Sequence, residues 1–483
     1  MTRLLLPALP DAAPLREATL FGFDDRAFPF RRHVQHHLYP ASQAEVAVPN
    51  GPPGSHDEVV RFYGSVLHAG DAFHLWYYGC HGREWGSIGF GHGLQDCFLC
   101  YATSRDGRHW EKPRLGLVEF RGSTANNIVD LPHPGYRPAC AVLHDPEDPD
   151  PRRRFKLAYE APVAGQAEKC FCVAFSPDGL RWTPSARNPV GPFFEMAGIA
   201  RWRGLYYVNG QGALGNDRPL AARRLSTFVS ADFEHWSPCP ALGMERSGDR
   251  HGPSAAADAH QYEEIHLGAA LWNRGNVLLG VYGQWHGHPS GDRRLLTMDL
   301  GLALSHDALH FYEPLPGFRL VPAREQPRSP AGAHPALMQG QGFANAGERS
   351  LYWYGAWLGP NSPGVYCASW ERDRLGAVQP FRPEAPLVIS CPLVVTEGAA
   401  AAALNVSGLG PHTALRLELL DEGFRPVAGF SGPEAAVVAA SGLAVPLRWP
   451  GGALTADLGR FWVSVAFQGV RPEDARLHAL SLS

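Results

Sequence analysis

Two patterns recur along the 483-residue chain at intervals of tens of residues, and repeats of this spacing restrict the possible folds strongly. The first is a turn in which Ser, Asp and an aromatic residue keep fixed offsets. Its four copies span residues 102–110, 174–182, 228–236 and 303–311. Ser and Asp side chains can accept hydrogen bonds from backbone N–H groups within a turn. The pattern therefore predicts structural turns, and we assign no catalysis to these Asp residues.

The second repeat is a hairpin, in which an apolar segment, a short turn and an aromatic-rich segment follow one another. Its five copies span residues 61–77, 138–159, 196–208, 267–282 and 342–354. Most of the intervening turns carry the glycines and polar residues that hairpins require. Five such units predict five blades of a β-propeller, each a four-stranded antiparallel sheet around a central channel.

The pattern of apolar and polar residues changes after about residue 380. The segment 414–420 alternates apolar and polar residues and is followed by the turn 421–423. Alternation of period two is typical of half-buried antiparallel strands. The sequence thus predicts an all-β protein, with a five-bladed β-propeller over residues 1–380 as the catalytic domain and a C-terminal β-sandwich over residues 381–483 as an accessory domain.

The composition of the chain limits which classes of partner and location we expect. Charged residues make up 19% of the chain, the net charge is -4, and the two signs are mixed, which argues against a nucleic-acid surface. No stretch approaches the roughly 20 apolar residues that cross a membrane, and Pro7 and Pro10 interrupt the apolar N-terminal run before it reaches signal-peptide length. The nine scattered Cys predict reduced thiols and a cytoplasmic location. A zinc site would need the pairs Cys97/Cys100 and Cys170/Cys172 to meet in space.

The five hairpins, the Ser/Asp/aromatic turns and the terminal sandwich together resemble the invertase/inulinase-like and arabinanase-like glycoside hydrolases, families 32 and 43. The segment 366–376 also resembles the Arg-rich strand that closes the last blade in such proteins. The resemblance covers nearly the whole chain in architecture, although the local motifs are weak. It implies three acids in the channel: a nucleophile or base in blade one, a transition-state stabiliser in blade two and a general acid in blade three.

The matching positions differ in how well they fit. Glu195 stands where the resemblance places the general acid, and its apolar neighbours would raise the pKa of a poorly solvated carboxyl group. Asp57 and Glu58 precede the first hairpin, where a nucleophile or base would belong, although the family's Asn-Asp-Pro-Asn-Gly pattern is absent. In blade two Arg137 is present without the family's Asp, and Asp145 lies beyond the strand in a predicted turn.

Blade four carries a run that the family pattern does not supply, containing His260, Glu263, Glu264 and His266. If the run continues into a strand, Glu264 and His266 share one face and Glu263 takes the other. Such a face can supply acid/base groups, bind sugar hydroxyls or hold a divalent metal, for which His33, His36 and His37 are possible partners. We expect no cofactor, with a metal as the alternative.

Aromatic and polar residues near the blade ends are candidates for substrate binding. Residues 282–294 are interpreted as a long loop that carries Trp285 and His286, and the Gly-rich segment 79–93 carries Trp85. A Trp face stacks readily on a sugar ring, and packing in the core is the alternative for either Trp. The candidates for substrate binding are Arg137, Glu263, His266, His260, Trp85, Trp285, His286 and Gln341.

The sequence therefore predicts a glycoside hydrolase-like enzyme that acts on a small carbohydrate, with Glu195 as general acid and Asp57, Glu58 or Glu264 as base or nucleophile. Two other functions stay open. One is a glycoside phosphorylase, in which Arg137, Arg293 or Arg294 binds phosphate. The other is a carbohydrate-binding propeller without catalysis, because the blade-two acid is missing.

Overall fold

A computed structural model describes residues 3–5, 14–81, 97–212, 223–246, 263–287, 295–323, 336–356 and 363–483. In these ranges the protein is all-β, as predicted, with four short 3-10 helices at Pro151–Arg153, Gly432–Glu434, Ala456–Leu458 and Pro472–Asp474. Strands β1 to β4 are Arg3–Leu5, Ala18–Phe21, Phe30–Arg32 and Val34–Leu38, and β5 is Ser42–Pro49.

The five predicted hairpins are confirmed, and each begins a series of consecutive antiparallel strands. These are β6 Val59–Ala69, β7 Ala72–Cys80, β8 Cys97–Ser104; β9 Arg137–His144, β10 Phe155–Ala161, β11 Cys170–Ser176, β12 Thr183–Pro184; β13 Glu195–Trp202, β14 Leu205–Gln211, β15 Leu225–Ser230, β16 Ala241–Met244; β17 Glu263–Asn273, β18 Leu278–His286, β19 Thr297–Ser305, β20 Arg319–Val321; and β21 Leu337–Ala346, β22 Arg349–Ala356, β23 Gly364–Glu371. Three series are separate four-stranded sheets. The first and last share a seven-stranded sheet in the order β5-β23-β22-β21-β6-β7-β8.

The first strands of the five series lie against one another. β6 contacts β9, β9 contacts β13, β13 contacts β17, and β17 contacts β21. β21 in turn pairs with β6 in parallel through Gln341 and Ser65. The chain of contacts thus returns to the strand where it began. The strands approach closely. At Gly198 in β13, for example, an added Cβ atom would stand only 2.0 Å from the carbonyl oxygen of Ala269 in β17.

Two side chains tie these strands together in one layer. Gln341 bonds the backbone N–H and C=O groups of both Ile199 and Leu271, over 2.8 to 3.2 Å. The Ser65 hydroxyl accepts from the Val142 N–H at 2.8 Å and donates to the carbonyl of Cys140 at 3.3 Å. In each series the pairing of the first two strands shifts register near this level, as β-bulges do.

The C-terminal region adds β24 Gly376–Pro380, β25 Leu387–Ile389, β26 Leu393–Glu397, β27 Ala399–Ala400, β28 Ala402–Ser407, β29 Thr413–Leu420, β30 Ala436–Val438, β31 Gly442–Pro446, β32 Leu454–Thr455, β33 Arg460–Gly469 and β34 Arg476–Leu482. One larger sheet contains β25, β26, β29, β30 and β33, and the other contains β24, β28, β31 and β34. The N-terminal strands β1 to β4 join these same two sheets. Leu20 and Phe28 accordingly share a core with Leu404 and Val465.

The four repeated turns have the structural role that the sequence predicts. In the second copy the Ser176 hydroxyl accepts from the N–H groups of Asp178 and Gly179, and Asp178 Oδ1 accepts from the N–H groups of Leu180 and Arg181. The other three copies are built on the same Ser and Asp offsets. Each turn follows the third strand of its series.

The prediction that the cysteines are reduced thiols is wrong at one pair, because Cys80 and Cys97 form a disulfide. They are direct partners in the antiparallel pairing of β7 and β8, which brings their side chains together across 17 residues of sequence. The seven other cysteines are free. No helix in the described part of the chain is long and apolar enough to span a membrane.

The Gln341 layer gives a first test. Replacing Gln341 by Leu removes four hydrogen bonds and leaves buried backbone groups of β13 and β17 without partners, so we expect a loss of roughly 2–4 kcal/mol in the free energy of unfolding. Urea denaturation measures it. The matched change Gln166→Leu, at an exposed turn position, should leave the midpoint unchanged. Equal midpoints for the two variants would contradict the layer's structural role.

Candidate functional site

Buried ionisable and aromatic side chains from separate sheets meet near the start of the first strands. Tyr63 of β6 lies 6.2 Å from His266 of β17 and 5.9 Å from Tyr78, measured between ring centroids. Its hydroxyl also donates to the sulfur of Met338 in β21. Arg61, only 7% exposed, lies two residues before Tyr63 on the same strand. Burial lowers the pKa of Arg61 to about 9, against the opposite effect of the two tyrosines, so the guanidinium stays charged at neutral pH.

Glu195 is the first residue of β13. Its carboxylate Oε2 accepts a hydrogen bond of 2.6 Å from Nε2 of Gln211, the last residue of the neighbouring β14. The amide oxygen of Gln211 accepts from the N–H of Leu267 in β17 at 3.2 Å. Gln211 therefore connects the predicted general acid to the strand that carries Glu264 and His266.

Glu264 and His266 lie on one face of β17, as the alternation predicts, and both are 2% exposed. The carboxylate of Glu264 lies 3.6 Å from Nε of Arg223. The guanidinium of Arg223 stands 4.4 Å from the ring centre of Trp285, and the ring of His266 stacks on Trp285 at 5.8 Å. Glu264 and Trp285 are direct partners in the pairing of β17 with β18. These four side chains are called the Glu264 face below.

Trp285 is placed differently from the prediction. Residues 282–286 belong to β18 instead of a loop, and the ring of Trp285 is fully buried. The reason is the length of the hairpin, since β18 pairs with β17 as far as Glu263 and with β19 as far as Thr297. The aromatic ring therefore forms part of the site wall through its contacts with His266 and Arg223.

Asp57 is buried, and its carboxylate is fully engaged. Oδ2 accepts from the ammonium of Lys112 at 2.5 Å and from the hydroxyl of Tyr77 at 2.9 Å, and Oδ1 accepts from the hydroxyl of Ser55. Burial alone would raise the pKa of Asp57, but Lys112 and the hydrogen bonds hold it below its usual value. Glu58 lies at the chain reversal before β6, where its carboxylate accepts from the N–H of Gly54 at 2.9 Å.

Glu263 and His286 lie on the opposite face of the β17–β18 hairpin from Glu264 and Trp285. His286 Nδ1 lies 2.8 Å from a carboxylate oxygen of Glu263, and its Nε2 lies 2.8 Å from Oδ2 of Asp299 in β19. Both ring nitrogens of His286 are therefore already in use, and neither is left for the predicted contact with a substrate.

The remaining predicted residues fall into two groups. Gln341 uses the full hydrogen-bonding capacity of its amide on β13 and β17, so it has no polar atom left for a substrate. Arg137 is the first residue of β9, and its side chain lies outside the described part of the structure, as do His260, Trp85, Arg293 and Arg294. Asp145 binds Arg201 and Tyr206, which ties the end of β9 to the third series.

The sequence-based interpretation missed Arg61, Tyr63, Tyr78, Gln211 and Arg223. Four of them lie in strands of the repeated hairpins, and Arg223 lies just before β15. An Arg or Gln in an otherwise apolar strand is the signal that could have pointed to Arg61 and Gln211. In the described part of the chain no group of three or more His, Cys, Asp or Glu side chains could hold a metal ion. His33, His36 and His37 lie on or beside β3 and β4, in the C-terminal sheets.

No family model and no curated protein matches the chain. Similar solved structures include a glycosyl hydrolase from Bacteroides ovatus (15% identity, TM-score 0.41, covering 76% of this chain and 96% of that one). A structure from the GH130 family, described as containing glycoside hydrolases that target β-1,2-mannosidic linkages, shares 15% identity with a TM-score of 0.40 over 76% and 96%. A GH32 β-fructofuranosidase from Bombyx mori shares 12% identity with a TM-score of 0.38 over 95% and 93%.

The glycoside hydrolase resemblance inferred from the repeats thus recurs among solved structures.

Asp57 offers a test that separates structure from catalysis. Asp57→Asn removes the ion pair with Lys112, and we expect it to cost roughly 1.5–3 kcal/mol of stability, the range for a hydrogen bond to a charged group. Because the pKa of Asp57 is lowered on folding, this stabilisation is present above the usual Asp value of about 3.8 and is lost as the pH falls through the lowered one. Acid unfolding of the wild type, of Asp57→Asn and of the exposed control Asp71→Asn measures it. Full stability with lost turnover in Asp57→Asn would instead assign Asp57 to the chemistry.

Proposed function

We propose that this protein is a five-bladed β-propeller enzyme that cleaves small glycosides, with an accessory β-sandwich formed mainly by residues 381–483. The closed sequence of contacts among β6, β9, β13, β17 and β21 supports the propeller. The convergence of acids, Arg61, His266 and aromatic rings at the starts of these strands supports the enzyme. Burying so many polar groups costs free energy, and such sites are retained for binding or catalysis.

The chemistry assigned to the site is general acid/base catalysis. Glu195, in its protonated form, gives its proton to the glycosidic oxygen as the bond from that oxygen to the anomeric carbon breaks. In a single displacement, water adds to the anomeric carbon and its proton passes to the second carboxylate. In a double displacement, that carboxylate itself attacks first, and water then releases the sugar.

Glu264 is the favoured second carboxylate. Asp57 has three hydrogen-bond donors on its two oxygens and an ion pair with Lys112, so a reaction would have to break existing bonds. Glu264 faces the aromatic and cationic side chains of the site, including Trp285 and Arg223, which stand beside it where a sugar would bind. The predicted binding roles of Arg137, His260 and Trp85 remain part of the proposal, whereas Glu263 lies on the opposite face of the hairpin and pairs with His286.

The central test is Glu195→Gln. The amide cannot give a proton to a leaving oxygen, so we expect kcat/KM to fall at least about 10²-fold, the lower range for a lost acid catalyst. A panel of aryl glycosides provides the assay. Glu119→Gln, an exposed position, is the matched control and should retain full turnover with the same unfolding midpoint. A fully active Glu195→Gln enzyme would remove Glu195 from the mechanism.

A glycoside phosphorylase is the second candidate, and the buried cation Arg61 favours it. A charged guanidinium with little water around it binds a phosphate oxygen strongly. If phosphate is the acceptor, the product is a sugar 1-phosphate, and cleavage without phosphate should be at least tenfold slower. Product analysis by phosphorus NMR, with sulfate as the control anion, separates the two. Equal rates with either anion would exclude phosphorolysis.

The cytoplasmic location also belongs to the proposal. The Cys80–Cys97 disulfide argues in the other direction, because disulfides persist mainly in oxidising compartments.

A further inference from the structure

The end of the β17–β18 hairpin carries two different polar arrangements on its two faces. Glu263 pairs with His286 and Glu264 pairs with Trp285, as consecutive partners in the same register. His286, Glu263 and Asp299 are called the His286 cluster below. Since side chains alternate across a strand, the Glu264 face and the His286 cluster stand back to back. β17 begins at Glu263 and β18 ends at His286, so this is the end of the hairpin, where strands open most easily.

His286 connects three strands at this end. Its Nδ1 faces the carboxylate of Glu263 on β17 and its Nε2 faces the carboxylate of Asp299 on β19. A neutral imidazole has one N–H, so it would direct a lone pair at one of the two carboxylates. Only the imidazolium can donate to both. With both carboxylates ionised, the geometry therefore favours a charged His286.

The surrounding charges are consistent with that state. Nε of Arg319 lies 2.9 Å from Asp299 Oδ2, and Nη1 of Arg246 lies 3.4 Å from Glu263 Oε2. The N–H of Ala323 donates to Asp299 Oδ1 at 2.6 Å. Further along the same face of β18, the hydroxyl of Tyr282 donates to Glu313. These are the charged and titratable groups that the neighbouring strands and loops direct toward the cluster.

The pKa of His286 follows from the same contacts. Burial alone would lower it, but the hydrogen bonds and charges of Asp299 and Glu263 raise it overall. The pKa values of Glu263 and Asp299 are lowered, since both hydrogen-bond the imidazolium against the effect of burial.

We propose that His286 is a positioning residue, which acts as an ionic clamp that holds the ends of β17, β18 and β19 together and so fixes the Glu264 face on the opposite side of the hairpin. Losing the proton removes one of its two hydrogen bonds. The end of the hairpin then opens, and Glu264 and Trp285 lose their fixed position relative to Arg223. Only the effect on turnover rests on the proposed function, since the clamp itself needs no substrate.

The sign of the pH dependence follows from the raised pKa. The clamp's stabilisation is fully present below the usual imidazole value of about 6.5 and is lost as the pH rises through the raised value. Two variants test this. His286→Gln keeps one donor but cannot carry charge, and His286→Arg keeps a charge that does not titrate below pH 9. The matched control is His235→Gln, which breaks an exposed pair with Asp232 inside a single turn.

Thermal unfolding between pH 6 and pH 9 is the first measurement. Relative to His286→Arg, the wild type should lose about 2–4 °C in Tm over this range, the size expected for one ionic contact in a large domain. His286→Gln should be less stable at pH 6 and equal to the wild type at pH 9. His235→Gln should follow the wild type throughout. A pH-independent deficit in His286→Gln would reduce His286 to a packing role and overturn the proposal.

Acrylamide quenching of Trp285 is the second measurement, and it reports on the opposite face directly. The Trp285 signal is the difference between each protein and its Trp285→Phe counterpart. We expect it to be protected at pH 6 and at least twofold more accessible at pH 9 in the wild type. His286→Gln should be accessible at both values and His286→Arg protected at both. Equal protection in all proteins would show that the clamp does not reach the Glu264 face.

Turnover completes the experiment. If the enzyme cleaves glycosides as proposed, His286→Gln should lower kcat about tenfold at pH 6 with little change in KM, while His286→Arg should restore it and flatten the basic limb of the pH profile. If no glycoside is cleaved by any variant, the proposed function fails while the Tm and quenching results still decide on the clamp.

Discussion

The close approach of the first strands of the five series is the constraint on which the rest of the structure depends. Where β13 meets β17 there is no room even for a Cβ atom at Gly198, yet the backbone groups there still need hydrogen-bond partners. Ser65 and Gln341 meet this need with two short polar side chains that reach the backbones of three neighbouring strands. Glycines such as Gly198 permit the approach, and the register shifts beside them turn the chain at the same level.

The candidate site lies beside this layer. Glu195, His266, Tyr63 and their neighbours stand near the starts of the same strands, and Gln211 links two of these strands. The described side chains of the site come from three sheets, those that contain β6 and β21, β13, and β17, so no single sheet builds the site. A small movement at the end of one hairpin would change the distances between side chains that belong to three sheets. Holding the strand ends in place therefore affects the geometry of the whole site.

The sequence predicted the parts of this architecture that depend on local contacts. The hairpins and the Ser/Asp turns are short-range, so their residues repeat at fixed offsets, and the alternation in β17 placed Glu264 and His266 correctly. Long-range pairings have no such signal. The entry of β2 to β4 into the C-terminal sheets and the Cys80–Cys97 bond were therefore not foreseen. Gln211 and Arg223 act between sheets, and their positions in the sequence do not disclose which strand they face.

The four Ser/Asp turns have a consequence for how such a chain diverges. Each follows a third strand, and strands alternate in direction, so the turns lie at the end of the sheets opposite to the starts of the first strands. The residues that make the fold recognisable and the residues proposed to carry the reaction thus occupy opposite rims. Substitutions at the rim with the proposed site can change the substrate while the opposite rim keeps its Ser and Asp residues. The sequence of such a protein therefore indicates its fold more readily than its substrate.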